Sequence, residues 1–248
     1  MGTFENANTS FHQAARCKRY TDEVLAFSMV KEEELLRATE EIQNLTYKQG
    51  EYKIFKVFEP KERLIMALPF YDRVVQHMIC NAIQPVFENG FYYHSYACRS
   101  GKGMHAASDT LYQWMYETEV KQGLRMYAFK GDISKYFASI PHDKLKDENR
   151  RYIGDKKALM LMDDIIDHNG ILPDGVGIPV GNLTSQLFAN VYGNKLDKFC
   201  KHVLHIPYFV RYMDDFIILS DDLEQLKEWV KRKEEFLEKL RARLSQTM

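Results

Sequence analysis

Apolar residues fall at helical spacing along most of the chain and in short continuous runs elsewhere, which predicts helices interleaved with strands. Between residues 21 and 44 the sequence is highly charged. Val24, Phe27, Val30, Leu35 and Ile42 nonetheless recur with a helical period, predicting one or two amphipathic helices. YKIFKVF and RLIMAL flank a polar turn and predict two short strands. The run DRVVQHMICNAI is helical in pattern as far as Pro85, whose missing N–H favours an end there. YACRSGKG, residues 96–103, predicts a basic, glycine-containing loop before a helix over 104–121. MYAFKGDI predicts a buried strand ending in an aspartate, and 144–168 a further helix. After the loop ILPDGVGIPVG, residues 182–200 predict a helix with Leu183, Leu187, Val191 and Leu196 on one side. YFVRY and FIIL around MDD predict a tight hairpin, and 223–244 a last amphipathic helix. The class is α+β.

Composition narrows the field. The 248 residues are 45% hydrophobic and 28% charged, an ordinary globular balance that allows one large domain or two modest ones. No apolar run reaches the ~18 residues of a membrane span, and the start lacks a secretion signal. A soluble, cytoplasmic protein with no membrane partner is expected. Cys17, Cys80, Cys98 and Cys200 are far apart, which argues for reduced thiols over a zinc site or disulfides. His202 and His205 have no cysteine or carboxylate beside them at ligand spacing. With 34 Lys and Arg against 35 Asp and Glu, any nucleic-acid-binding surface must be local.

MDD occurs twice, which supplies an internal control. Asp163 and Asp164 lie in a helical pattern and are expected to face solvent. Asp214 and Asp215 are held between two strand-forming runs, where two negative charges cost several kcal/mol unless compensated. Mg²⁺ is a natural compensation for hard oxygen ligands. A third carboxylate, Asp132, ends the strand MYAFKGD, and the carbonyl of Ile133 adds another hard donor. Such a cluster fits two-metal phosphoryl transfer. Equally open from spacing alone, Asp132 caps a helix from Ser134 while Asp214 and Asp215 merely make a turn.

YMDD after an apolar strand, FKGDISKYF before it and GIPVGNLTSQ between them resemble the palm motifs of reverse transcriptases, in the right order. KERLIMALPFYDRVVQHMI through FYYHSYACRSGKGMHAA is similar to the fingers of the bacterial enzymes. The resemblance spans roughly 36–240. It implies right-hand polymerase fingers (36–125) and palm (126–248, an antiparallel sheet backed by helices), after an N-terminal helical extension (1–35). Asp132, Asp214 and Asp215 become the catalytic residues, and with Ile133 the ligands of two Mg²⁺ ions, with Mn²⁺ as a substitute. Lys61, Arg63, Phe137, Val180 and Gly181 are implied to meet the incoming dNTP, Phe137 as a steric gate against a ribose 2′-hydroxyl. Phe137 as plain core is the competing assignment. Arg73, Ser185, Gln186, Tyr212 and Met213 are implied to meet primer and template. Lys56, Arg99, Lys102, Lys130 and Lys135 join Lys61, Arg63 and Arg73 in a local basic path.

Most of the family has glutamine before the glycine of the middle motif and proline after its serine. Val180 and Gln186 stand there instead, a pattern similar to diversity-generating retroelement enzymes, which copy a template RNA with errors opposite adenines. The resemblance then implies an RNA template, a DNA or RNA primer and a small basic accessory protein. No primer-grip hairpin or thumb follows YMDD, so fingers and palm without a thumb are expected. Other readings stay open: a phage-defence, retron or group II intron enzyme, or a catalytically silent fingers-palm fragment that binds nucleic acid. A metal-dependent cyclase or nuclease leaves the fingers block and GIPVGNLTSQ unexplained.

Overall fold

The charged N-terminal region folds into three helices, α1 (Phe4–Ala14), α2 (Asp22–Met29) and α3 (Lys31–Asn44). The computed structural model describes residues 1–58 and 62–242. α1 starts at Thr3, whose hydroxyl accepts from the Asn6 N–H at 3.3 Å. β1 (Lys53–Val57) and β2 (Arg63–Ala67) form the predicted antiparallel hairpin, Lys53 facing Ala67 and Val57 facing Arg63. Lys61, in their connection, lies outside the described residues.

α4 (Phe70–Glu88) does not stop at Pro85 but runs through it. Proline there removes a helix bond only in the last turn, and Phe87 anchors that turn by full burial, its ring 5.4 Å from Tyr152. α5 (Met104–Met115) continues as a π-helical turn to Lys121. β3 (Tyr127–Asp132) forms where expected, but its exposure alternates instead of being uniformly low, as in a strand with one open face. The helix expected over 144–168 is two helices, α6 (His142–Tyr152) and α7 (Lys156–Asp167). Gly154 is a poor helix former, and Asp155 restarts the helix by accepting from the Ala158 N–H at 2.9 Å. α8 (Leu183–Lys198) is buried all round, Thr184, Asn190, Asn194 and Asp197 included, where a one-sided helix was expected. A π-helical turn follows at Phe199–Val203. β4 (Tyr208–Tyr212), β5 (Asp215–Ser220) and α9 (Leu223–Ala242) complete the described chain. Leu244, expected in the last helix, lies outside it.

The chain divides into two compact units, residues 1–90 with 142–188, and 91–141 with 189–248. Both are discontinuous and cut across the contiguous segments expected from sequence, because strand pairing and helix packing join distant stretches.

In the first unit, Phe11, Phe27 and Phe70 bring α1, α2 and α4 together, with ring centroids 5.1–6.0 Å apart. The Asn6 amide donates to the Met78 carbonyl at 2.8 Å. Buried Asp72 accepts from Tyr47 Oη at 2.7 Å and from the Gly50 N–H at 3.2 Å, fixing the approach to β1. His142 pins the loop after α7, Nε2 donating to the Gly177 carbonyl at 2.8 Å and its backbone N–H to Gly175 at 2.9 Å.

The second unit is built on a three-stranded antiparallel sheet of order β3-β5-β4. One face packs on α5 through Tyr96, Ala107 and Val210. The other carries Phe129, Phe209 and Phe216 and is covered by α9, whose Lys233 ammonium lies 4.3 Å from the Phe216 ring centroid. Phe199 and Phe236 stack at 4.1 Å. Among the described residues, no helix is long and apolar enough to cross a membrane.

Candidate active site

The register of the second unit's sheet decides where its acids stand. Asp132, the last residue of β3, pairs directly with Asp215, the first of β5, and Asp215 also pairs with Tyr212 of β4. Side chains alternate along a strand, so Tyr212, Asp215 and Asp132 form one row on one face of the sheet. Met213 and Asp214 make the two-residue turn, Met213 at φ 59°. The Ile133 N–H donates to the Asp214 carbonyl at 3.2 Å, tying the end of β3 to that turn. No α-helix begins at Ser134. Asp132 is part of the ladder, and only a short 3₁₀ turn, Phe137–Ser139, comes next.

Lys130 Nζ lies 3.7 Å from Asp215 Oδ1, with both groups largely exposed, so this contact is weak and yields readily to another cation. A cavity of about 250 Å³ opens on the same face, lined by Met104, Leu111, Lys130, Tyr212, Asp215 and Ile217. Tyr136 is buried and donates to the Ala189 carbonyl at 2.6 Å. Burial holds its hydroxyl well above the usual phenol range. Phe137 packs edge-on against that ring, with centroids 5.8 Å apart and planes at 80°, and is half-buried. Among the described residues, no three His, Cys, Asp or Glu side chains stand grouped as a metal site. Two facing carboxylates at a strand end with a third on the adjoining turn supply all-oxygen donors, the type that suits Mg²⁺.

The first unit gathers a different set. The Met66 N–H donates to the Val180 carbonyl at 3.1 Å, laying GIPVGN along β2 three residues from Arg63. Gly181 has φ 114°, and a Cβ there would stand 3.1 Å from Ile65 Cγ2, so a side chain would be both strained and crowded. Arg63 is exposed; Ser185 is buried in α8, and Gln186 is half-buried. Arg73 is held within its unit, Nε donating to the Leu68 carbonyl at 2.8 Å and Nη2 lying 3.2 Å from Glu23.

The basic path is thinner than the sequence suggests. Arg99 in the second unit donates to the Tyr92 and Ser95 carbonyls, and the Lys102 ammonium sits 3.4 Å from the Tyr93 ring centroid. In the first unit, Lys56 pairs with Glu62 at 2.6 Å. In the first MDD, Asp164 is exposed as its pattern predicts, whereas Asp163 is half-buried and pairs with Arg150 of α6.

Two residues that shape the acid edge escaped the sequence reading. Gly131, opposite Phe216, has the signal of a glycine inside a strand. Arg211 has that of a charge inside an apolar run.

A small antiparallel sheet that presents facing carboxylates beside a tight acidic hairpin defines a palm-like nucleotidyl-transfer fold. Residues 48–247 match the family described as reverse transcriptase (RNA-dependent DNA polymerase), and the chain belongs to that family. It is 28% identical over 134 residues to the protein YkfC of Escherichia coli K12, a match covering 52% of this chain and 34% of that protein. It is 29% identical over 137 residues to an uncharacterized 91 kDa protein in the cob intron of Schizosaccharomyces pombe, covering 53% of this chain and 16% of that one. The chain thus matches about a third or less of the length of these relatives. Its fold is similar to apo telomerase from Candida tropicalis truncated from its C-terminal domain, with TM-score 0.52 at 14% identity over 80% of this chain and 50% of that one. Telomerase from Candida albicans in complex with a fragment of telomeric RNA matches with TM-score 0.54 at 10% identity, over 76% of this chain and 40% of that one.

Proposed function

We propose that this chain copies RNA into DNA, adding deoxynucleotides to a primer 3′ end at the edge formed by Asp132, Asp214 and Asp215. The observation that carries the reading is the direct pairing of Asp132 with Asp215, next to the turn that bears Asp214. Divalent ions bound by these carboxylates and the Ile133 carbonyl would supply charge neutralisation at the triphosphate and a more acidic 3′-hydroxyl. The protein's own groups bind and orient. Tyr212 and Met213 support the primer terminus, for which the cavity beside Asp215 offers room. Phe137, half-buried five residues after Asp132, excludes a ribose 2′-hydroxyl. Arg63 and Lys61 meet the triphosphate, Val180 and Gly181 give the nucleotide a flat backbone to lie against, and Ser185, Gln186 and Arg73 support the template strand.

Val180 and Gln186 favour an error-prone enzyme of the diversity-generating retroelement type, with a basic accessory protein as partner. An aliphatic residue in place of a hydrogen-bonding glutamine holds the incoming nucleotide less tightly, which lowers discrimination.

The test is primer extension on an RNA template with Mg²⁺ or Mn²⁺, comparing the chain with Asp214→Ala/Asp215→Ala. Extension that disappears in the variant and misincorporates mainly opposite adenines supports both parts. Extension that is accurate at adenines, or an error spectrum unchanged in Val180→Gln, removes the subtype and keeps the polymerase. Extension that survives the double substitution refutes the assignment of the acids. Salt-sensitive template-primer binding without extension favours a binding module.

A further inference from the structure

Arg211 stands one residue before YMDD in an otherwise apolar and aromatic strand, yet it is the largest fully buried side chain in the described protein. It pairs with Phe216 across the β4–β5 ladder, so it points to the face opposite Tyr212 and Asp215. All five of its N–H donors have partners. Nε and Nη2 grip the two oxygens of Asp197 at 2.7 Å each, and Asp197 is itself fully buried. Nη2 also donates to Ser95 Oγ at 3.0 Å. Nη1 donates to Asn190 Oδ1 at 3.3 Å and to the Met213 carbonyl at 2.9 Å.

The last bond is the informative one. A buried ion pair by itself is a poor source of stability, since apolar residues of similar volume commonly replace one without loss. Asp197 alone would satisfy two of the five donors. The remaining donors reach outward, and one takes hold of the turn residue at φ 59°, a backbone conformation that side chains other than glycine adopt at a cost. The room is made deliberately: a Cβ on Gly193 would lie 2.7 Å from Arg211 Nη1 and 2.7 Å from Tyr136 Oη. Strand β4 is fixed as well, because the Arg211 N–H donates to the His94 carbonyl and its own carbonyl accepts from the Tyr96 N–H.

We propose that Arg211 is a positioning residue which, held by Asp197, grips the Met213 carbonyl from beneath the sheet and so aims Asp214 and Asp215. This rests on the polymerase reading of those acids. A planar fork is what the arrangement needs: a lysine reaches Asp197 but cannot also span Ser95, Asn190 and the turn.

The test uses the full chain, with Arg211→Met/Asp197→Leu to remove both charges while filling the space, and Arg211→Lys as the conservative change. Three quantities are read: melting temperature, amide hydrogen exchange at 212–216, and single-nucleotide extension. The double variant should melt within about 5 °C of the parent. Exchange in the turn should rise about tenfold while strand 127–131 keeps its protection. The kcat for extension should fall about a hundredfold with the dNTP KM nearly unchanged, as for misaligned groups. Arg211→Lys should restore neither turn protection nor kcat in full, and it decides the matter if the double variant fails to fold. Parental exchange at the turn in a folded variant overturns the proposal. So does faster exchange with parental kcat, or complete rescue by lysine. If the parent chain itself fails to extend primers, the polymerase reading fails. The exchange measurement then still decides whether Arg211 holds the turn.

Discussion

Gly131→Ala is a one-carbon probe of how the acid edge is held. In β3, Gly131 faces Phe216 of β5, and a Cβ built on it would come closest to Cζ of that ring, with Cε1 and Cε2 each 2.8 Å away. The ring has little freedom to retreat. It is 2% exposed, with Phe129 and Phe209 at centroid distances of 6.1 and 6.3 Å and the Lys233 ammonium at 4.3 Å. Two effects of opposite sign compete. Gly131 is not in the left-handed region, so alanine adds no backbone strain and restricts the unfolded chain, a gain of about 0.4–1 kcal/mol. Overpacking a fixed core costs about 1–3 kcal/mol. The steric term wins, for a net loss of about 1–2 kcal/mol and a melting temperature lower by about 2–8 °C.

A double-mutant cycle with Phe216→Leu isolates the cause. The leucine costs on the order of 1–2 kcal/mol by itself. In its background Gly131→Ala should become neutral or mildly stabilising, a coupling of about 1–3 kcal/mol. Urea unfolding of the four proteins, followed by circular dichroism, gives each value. A Gly131→Ala protein as stable as the parent refutes the reasoning, and so does an equal cost in both backgrounds.

Three further outcomes follow from single contacts. Tyr47→Phe leaves buried Asp72 without its 2.7 Å donor and should cost about 2 kcal/mol in urea unfolding, against no effect if water replaces the hydroxyl. Burial, with help from Lys102 and Lys201, pushes the His94 imidazole down to about 4. The folded state therefore binds fewer protons than the unfolded one, so this contribution is complete above about pH 6.5. It is lost as pH falls towards 4, and melting curves of His94→Gln should show a shallower decline across that window. Phe137→Val should raise ribonucleotide relative to deoxynucleotide incorporation about tenfold, and unchanged discrimination with normal dNTP addition counts against the gate.

Where structure is dictated locally, the sequence was a reliable guide. The two helices within 21–44, the β1–β2 hairpin and the β4–β5 hairpin follow from spacing and turn chemistry within a dozen residues. Errors came where distant partners decide. Nothing near Pro85 reveals that Phe87 is anchored on Tyr152, 65 residues further on in the chain. The alternating exposure of β3 reflects which face of the sheet is covered, and the burial of α8 on every side reflects neighbours from elsewhere in the sequence. The acids were legible as a motif, but the facing of Asp132 and Asp215 was not, because a long-range register sets it. A count of cations along the chain also does not show that Arg73, Arg99 and Lys102 are engaged by carbonyls, Glu23 or aromatic rings close at hand.

The sheet itself explains why Gly131 and Arg211 belong in one account. Across its three strands, Tyr212, Asp215 and Asp132 form one row, and Arg211, Phe216 and Gly131 form the next. Neighbouring rows point to opposite faces, so the acids and the groups that brace them are back to back, one residue apart on every strand. A slip of one residue between β3 and β5 would turn one row through to the other side, setting carboxylates against α9 and an aromatic ring towards solvent. The fit of the Phe216 ring over Gly131 works against that slip on one flank of β5. The five-donor grip of Arg211 guards the other flank, holding β4 and the turn against a slip of the β4–β5 pair. Each acts on the register of a single strand pair, and only together do they hold all three aspartates at one edge. Their effects on turn exchange should therefore be more than additive when Gly131→Ala is combined with Arg211→Met/Asp197→Leu. Strictly additive effects would mean that the two flanks are held independently.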